Sequence, residues 1–173
     1  PIARVPDVPP PSRETPDASI RKAADFLLKE QNRDGSWGNH TRTKGLNVLC
    51  PYPEGPRSFR TASTSLCVIG LLTSPLKEDP AVKASLDKAL QYLLTTLPTL
   101  KRGDTRTVLG VWGHAYGLSA LSRAARNLPA DAPLREELKK VASLQVKALD
   151  QMADVQGGWG YYTFETFSKR PIG

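Results

Sequence analysis

Cysteine, histidine and methionine are nearly missing from this sequence: 173 residues hold two Cys, two His and one Met. Cys50 and Cys67 show neither a C-x-x-C pair nor metal-ligand spacing. With only His40 and His114 to join them, no metal and no cofactor are expected. The two cysteines can pair in an oxidising compartment. Cys67, however, lies in an apolar helical run, where a buried free thiol is the expectation. No apolar run approaches the ~20 residues of a membrane-crossing helix, so no transmembrane segment is expected. The sequence opens at Pro1 without an initiator Met or a charged-then-apolar export segment, and reads as a mature or excised piece of something longer.

What is present fits one globular domain. Hydrophobic residues make up 39% and charged residues 24%. The net charge of +7 gives a mild general attraction to anions; by itself it does not make nucleic acid a partner. Residues 1–18 are rich in proline with scattered charge, the composition of an extended tether. Such a leader suits a domain held away from a preceding anchor or domain, in an exported or membrane-tethered setting. The globular domain is expected over 19–173.

The periodicity predicts five helices. The first starts near Asp17 or Ser19 and shows one apolar face through Ile20, Ala23, Ala24, Leu27 and Leu28. A polar, proline-broken loop follows over 39–58. The second helix, about Thr61 to Thr73, is apolar nearly all round and is expected to be buried on several sides. The third opens at Asp79-Pro80, a cap followed by proline at the first helical position. It repeats Leu86, Ala89, Leu90, Leu93, Leu94 and Leu97 at three–four spacing. The fourth begins at Gly110 and continues to Leu128, with small residues that suit close packing. The fifth starts at Pro133 and runs to Met152. One-faced helices, beginning near Ile20, Val82 and Leu138, thus alternate with apolar ones. That alternation implies two layers: an all-α, α/α toroid of about two and a half hairpins, with inner apolar helices shielded by outer amphipathic ones.

Two stretches share a turn. Gln31-Asn-Arg-Asp-Gly35-Ser-Trp37-Gly38 ends the first helix, and Gln151-Met-Ala-Asp-Val-Gln-Gly157-Gly158-Trp159-Gly160 ends the fifth. Glycine permits the positive φ that stops a helix, and an indole can fold back to cover the helix end. Gln31-x-x-x-Gly35-x-Trp37 resembles the QW motif of squalene and hopene cyclases, and the chain over roughly 19–162 is similar to the terpenoid-cyclase and protein-prenyltransferase superfamily of α/α toroids. Gly158 and Trp159 form a looser copy, since Gln151 lies too far upstream and Gln156 too close. The resemblance implies a structural role for Gln31, Gly35, Trp37, Gly158 and Trp159, and an isoprenoid or other anionic ligand. It supplies no catalytic residue. The Asp-rich D-x-D-D acid motif, a zinc set and a Cys-Gly-Glu-Gln thioester are all absent.

In an alternating toroid, the loops 32–60, 98–109 and 156–173 share one rim. Each carries a basic pair: Arg57 and Arg60, Arg102 and Arg106, Lys169 and Arg170. Together with helix N-termini these suit a diphosphate, sulfate or carboxylate; the alternative is a solvated loop surface. Trp112, His114 and Tyr116 are candidates for the cavity mouth, His114 otherwise being a satisfied structural group. Glu54 and Asp104 are the acids considered in the rim loops as proton donors. The aromatic run Tyr161, Tyr162, Phe164 and Phe167 either packs an unfinished hairpin or floors a lipid or sugar site. Three functions compete. One is a module that binds a ligand or partner at the rim. Another is the N-terminal part of an isoprenoid cyclase or prenyltransferase with its catalytic motif beyond residue 173. The third is a polysaccharide-active α/α barrel. Two apolar inner helices alone would leave a flank exposed, so further repeats or a second subunit are expected to close the ring.

Overall fold

α3 is the helix whose limits the sequence specifies most completely. Asp79 caps it, its carboxylate accepting the Ala81 N–H at 2.9 Å, and Pro80 stands first inside. The computed structural model of the protein describes residues 14–39, 54–101, 110–154 and 157–160. Among them every regular element is helical: α1 (Glu14–Glu30), α2 (Glu54–Thr73), α3 (Pro80–Thr96), α4 (Gly110–Asn127) and α5 (Pro133–Met152), with a 3₁₀ turn at Leu97–Thr99. No described helix is long and apolar enough to cross a membrane.

The leucine row of α3 is the centre of the core. Leu86, Ala89, Leu90, Leu93, Leu94 and Leu97 are all buried. They pack with Val68 and Leu71 of α2, Ala120, Leu121, Ala124 and Ala125 of α4, and Leu138, Val141 and Ala142 of α5. Each fully buried leucine contributes about 1.5–3 kcal/mol. α2 and α4 lie alongside each other, and α4 also packs on α5. At one end of this pair the Gly113 N–H reaches Ser58 Oγ at 3.3 Å. At the other, Lys77 Nζ, just past α2, meets Asn127 Oδ1 at 3.3 Å. α2 and α4 therefore run parallel.

Two helix starts differ from the sequence expectation, and for the same reason. α1 begins at Glu14, inside the expected 1–18 tether, and α2 begins at Glu54, inside the expected loop. Pro16 and Pro56 each stand in the first turn. There the N–H groups have no intrahelical partner, so a missing one costs nothing. Arg57 and Arg60 are consequently helical residues.

The expected burial of α2 also needs correction. Leu66 is 48% exposed and Gly70 is exposed, while Ser58, Thr61, Thr64 and Ser65 are fully buried. Hydroxyls survive there because they bond their own helix. Thr61, Thr64 and Ser65 donate to the carbonyls of Arg57, Arg60 and Thr61 at 2.9, 2.9 and 2.8 Å. No polar atom of these three is stranded, and their small volume lets the neighbouring helices approach. Cys67 is half-buried with a free thiol, its pKa pushed up to about 11 by burial. Cys50 lies outside the described residues.

Two glycines should respond oppositely to alanine. A Cβ on Gly117 would lie 2.4 Å from Leu97 Cδ2, whereas nothing lies within 4 Å of one on Gly70. Gly117→Ala is expected to destabilise by about 1–3 kcal/mol through overpacking. Gly70→Ala, in a helix interior, should stabilise by roughly 0.5–1 kcal/mol. Chemical denaturation of both variants checks the pair.

Candidate functional site

The Gln31 turn is built almost wholly from groups that close helix ends. α1 leaves its last four carbonyls without helical donors. The Trp37 indole N–H supplies one, donating to Leu27 O at 2.7 Å. Gly35 takes φ +86°, and a Cβ there would lie 2.3 Å from Lys88 O, so both the turn and the approach of α3 require glycine. Gln31 then joins two elements. Its Nε2 donates to Gly35 O and to Ser85 O, both at 2.9 Å, and Ser85 Oγ donates back to Gln31 Oε1 at 2.9 Å. Trp37 is tied to α2 as well: its main-chain N–H donates to Thr64 Oγ1 at 2.9 Å. The turn thus joins α1, α2 and α3. Ser85 and Thr64, which complete it, carried no signal in the motif itself.

The second turn has the same skeleton. Trp159 Nε1 donates to Leu149 O at 2.8 Å, ten residues back, as Trp37 does to Leu27. Asp154 N–H bonds Gly158 O at 2.9 Å, as Asn32 N–H bonds Ser36 O at 2.9 Å. Gly157 takes φ +87° beside the +86° of Gly35. Every pair differs by 122 in residue number (159 less 37). On that register Ala153 occupies the position of Gln31 and Gly158 that of Ser36; Gln151 and Gln156 are both out of place. The two turns differ in cover. Trp37 is 3% exposed and Trp159 55%.

Of the expected rim residues, Arg57 and Arg60 lie where the turn meets α2. Asp34 lies just past α1, Thr99 past α3, and both contact the start of α2; Met152 at the end of α5 lies against Gly110 at the start of α4. Helix N-termini and C-termini therefore share one end. Arg60 is only 14% exposed at its side chain. It bonds Asp34 at 2.9 and 3.1 Å and stands over the Tyr92 ring at 5.7 Å from its centroid. Burial raises the Asp34 pKa, but the Ser36 hydroxyl and amide and the Arg60 charge outweigh it and hold the carboxyl below its usual range. Arg57 donates to the Thr99 carbonyl at 3.2 Å and to the Thr99 hydroxyl, with Glu54 at 3.5 Å. Its side chain is 37% exposed. Of this pair, Arg57 is the one open to solvent. Arg102, Arg106, Lys169, Arg170 and Asp104, with the aromatic run from Tyr161 to Phe167, lie outside the described residues.

His114 is buried at the head of α4, beside the rim. Its Nδ1 lies 2.6 Å from Gln145 Oε1, while Gln145 Nε2 donates to Val141 O at 3.1 Å. That orientation of the amide makes Nδ1 the protonated nitrogen and leaves Nε2 an acceptor. Nε2 is buried without a hydrogen-bond partner among the described residues. Trp112 and Tyr116 stack at 5.8 Å and 18°, half-buried on the same helix. No group of three or more His, Cys, Asp or Glu among the described residues is arranged to hold a metal. The arrangement can hold an anion near Arg57 and the helix N-termini, and it can accept a proton or hydrogen bond at His114. No protein-family model matches the chain, and no solved structure does.

Two measurements probe this region. In a double-mutant cycle on Gln31→Ala and Ser85→Ala, each single change should cost about 1–3 kcal/mol and the pair should couple by more than 0.5 kcal/mol; urea unfolding reads both. The second is pH. Burial lowers the His114 pKa, with Gln145 partly opposing it. The folded imidazole stays neutral while the unfolded one takes a proton as pH falls through about 6.5. Stability should therefore decline from pH 7 toward 5.5. His114→Gln should lower the stability at pH 7 and flatten that slope.

Proposed function

We propose that the chain is an α/α-toroid module of the terpenoid-cyclase and prenyltransferase kind that binds an anionic ligand or partner at its basic rim. The observation that carries the reading is the Gln31 turn. Its Gln, Gly and Trp each make a distinct bond or contact that ties α1 to α2 and α3, the role that the motif resemblance assigns to them. The parallel pairing of α2 with α4, and the placing of the ends of α1, α3 and α5 beside the starts of those two helices, support the alternating layout.

The ligand reading rests on charge at that end. The N-termini of α2 and α4 add positive partial charge, and Arg57, its side chain 37% exposed, carries a guanidinium of the kind that contacts phosphate or carboxylate. Both arginines are paired, Arg57 with Glu54 at 3.5 Å and Arg60 with Asp34 at 2.9 Å, and Arg60 contributes less because its side chain is the more buried of the two. A polyanion would engage Arg57 first, with Arg102 and Arg106 as further donors from the following basic loop. Inorganic pyrophosphate is a suitable probe because it carries the charge without the apolar part of a prenyl diphosphate. Isothermal titration should show salt-sensitive binding that weakens at least tenfold in the variant Arg57→Ala/Arg102→Ala/Arg106→Ala, with the melting temperature nearly unchanged. Equal affinity in the variant and the parent would sink the rim reading.

A further inference from the structure

We infer that the Trp159 turn is a docking edge for a helical hairpin of the α2–α3 kind, entering in the register that follows Trp37. This rests on the repeated turn and is independent of the rim reading. The molecule displays what such a turn looks like when covered. Around Trp37, a threonine of the next helix takes the main-chain N–H, with Thr64 Oγ1 at 2.9 Å from Trp37 N and 3.3 Å from Trp37 O. The helix after that supplies Ser85 and the Lys88 backbone. Around Trp159 the same internal skeleton is present, yet the indole is 55% exposed and its main-chain N–H makes no hydrogen bond among the described residues.

The surrounding surface points the same way. The exposed large hydrophobics among the described residues are Phe26, Leu66, Leu144, Val146 and Trp159. Three of the five lie on α5 or its turn, and none lies on α3 or α4. α3, the helix with cover on each side, buries its whole apolar row; α5, at the edge, does not. The occupant is specified by the differences between the copies. It should present a Thr or Ser hydroxyl to the Trp159 main chain. Because Ala153 replaces Gln31, its second helix meets a methyl group where Ser85 meets an amide. That contact is apolar, without the two-way hydrogen bond.

The register makes a direct test. Trp37 is followed by residues 39–51 before the segment that covers it, and 161–173 stand at the corresponding positions. Residues 52–100 of this chain, fused directly after Gly173, would therefore carry an α2–α3 hairpin into register with Trp159. Hydrogen exchange measured by NMR should show the Trp159 main-chain amide slowed at least tenfold relative to the unfused chain. Acrylamide quenching should fall in parallel. Replacing the Thr64 counterpart in the appended segment by Ala should reverse the amide protection, and Ala153→Gln should increase it. An unchanged Trp159 amide in the fusion overturns the inference. So does an unfused chain that sediments as a dimer with Trp159 protected and becomes monomeric as Trp159→Glu, since the occupant would then be a second copy.

Discussion

The end of α1 is held by side chains from elsewhere in its own turn and from the two helices that follow, and the relative placement of all three depends on that turn. A helix end is an electrostatic problem, with four carbonyls lacking donors. The indole of Trp37 answers one of them, and Gln31 converts the rest of the turn into a joint. Its amide both donates to and accepts from Ser85, so it fixes α3 in distance and in rotation. Gly35 allows the α3 backbone to come close enough for this. α1 buries Ala24 and packs Leu27 and Leu28, partly buried, against the core. Its position depends on the joint as well as on this packing, whereas the leucine row holds α3 from inside.

The same joint organises the electrostatics of the rim. Asp34 belongs to the turn and pairs with Arg60, so one of the two arginines at the start of α2 is a structural cation. Its guanidinium lies over Tyr92 and against a carboxylate, a setting that favours fixed geometry over ligand exchange. Arg57, one turn earlier, sits where the 3₁₀ turn ends and keeps part of its surface in water. Two arginines three residues apart thus differ in kind, and the difference lies in which neighbouring loop reaches each. The neutral His114 nearby adds an acceptor but no charge.

Much of this was legible in the sequence, and the failures have physical causes. The row from Leu86 to Leu97, the Asp79-Pro80 cap and the Pro133 start were readable because cap, period and stop agree. The starts of α1 and α2 lie earlier than the proline content predicts, because a first-turn proline has no hydrogen bond to lose. The buried side of α2 is hard to read because Ser58, Thr61, Thr64 and Ser65 are polar. The hydroxyls of Thr61, Thr64 and Ser65 bond carbonyls one turn back, which no hydropathy pattern expresses. The Gln31 turn was recognised, but its partners were not: Ser85 and Thr64 lie 54 and 33 residues beyond Gln31 in sequence. The second copy is legible as a looser one with both glutamines out of place; that Ala153 stands where Gln31 does shows only in the hydrogen bonds that set its register. The role of Arg60 was hidden for the same reason, as Tyr92 and Asp34 come to it only in three dimensions.

Gly113 and Gly117 of α4 face Leu100, which follows the short 3₁₀ turn, and Leu97, which opens it, across gaps too small for a methyl group. Two side chains three residues apart, engaging two notches four residues apart, act as a mechanical detent. α4 cannot slide along its axis or roll without both leucines leaving their seats at once. Ser58 of α2 closes the Gly113 notch from the other side, its Oγ accepting the Gly113 N–H at 3.3 Å. The alignment of the two parallel helices is therefore indexed by a third element as well as by their own contact. A change at Leu97 or Leu100 would be felt as a shift in the pitch of the whole assembly before it was felt as a loss of core.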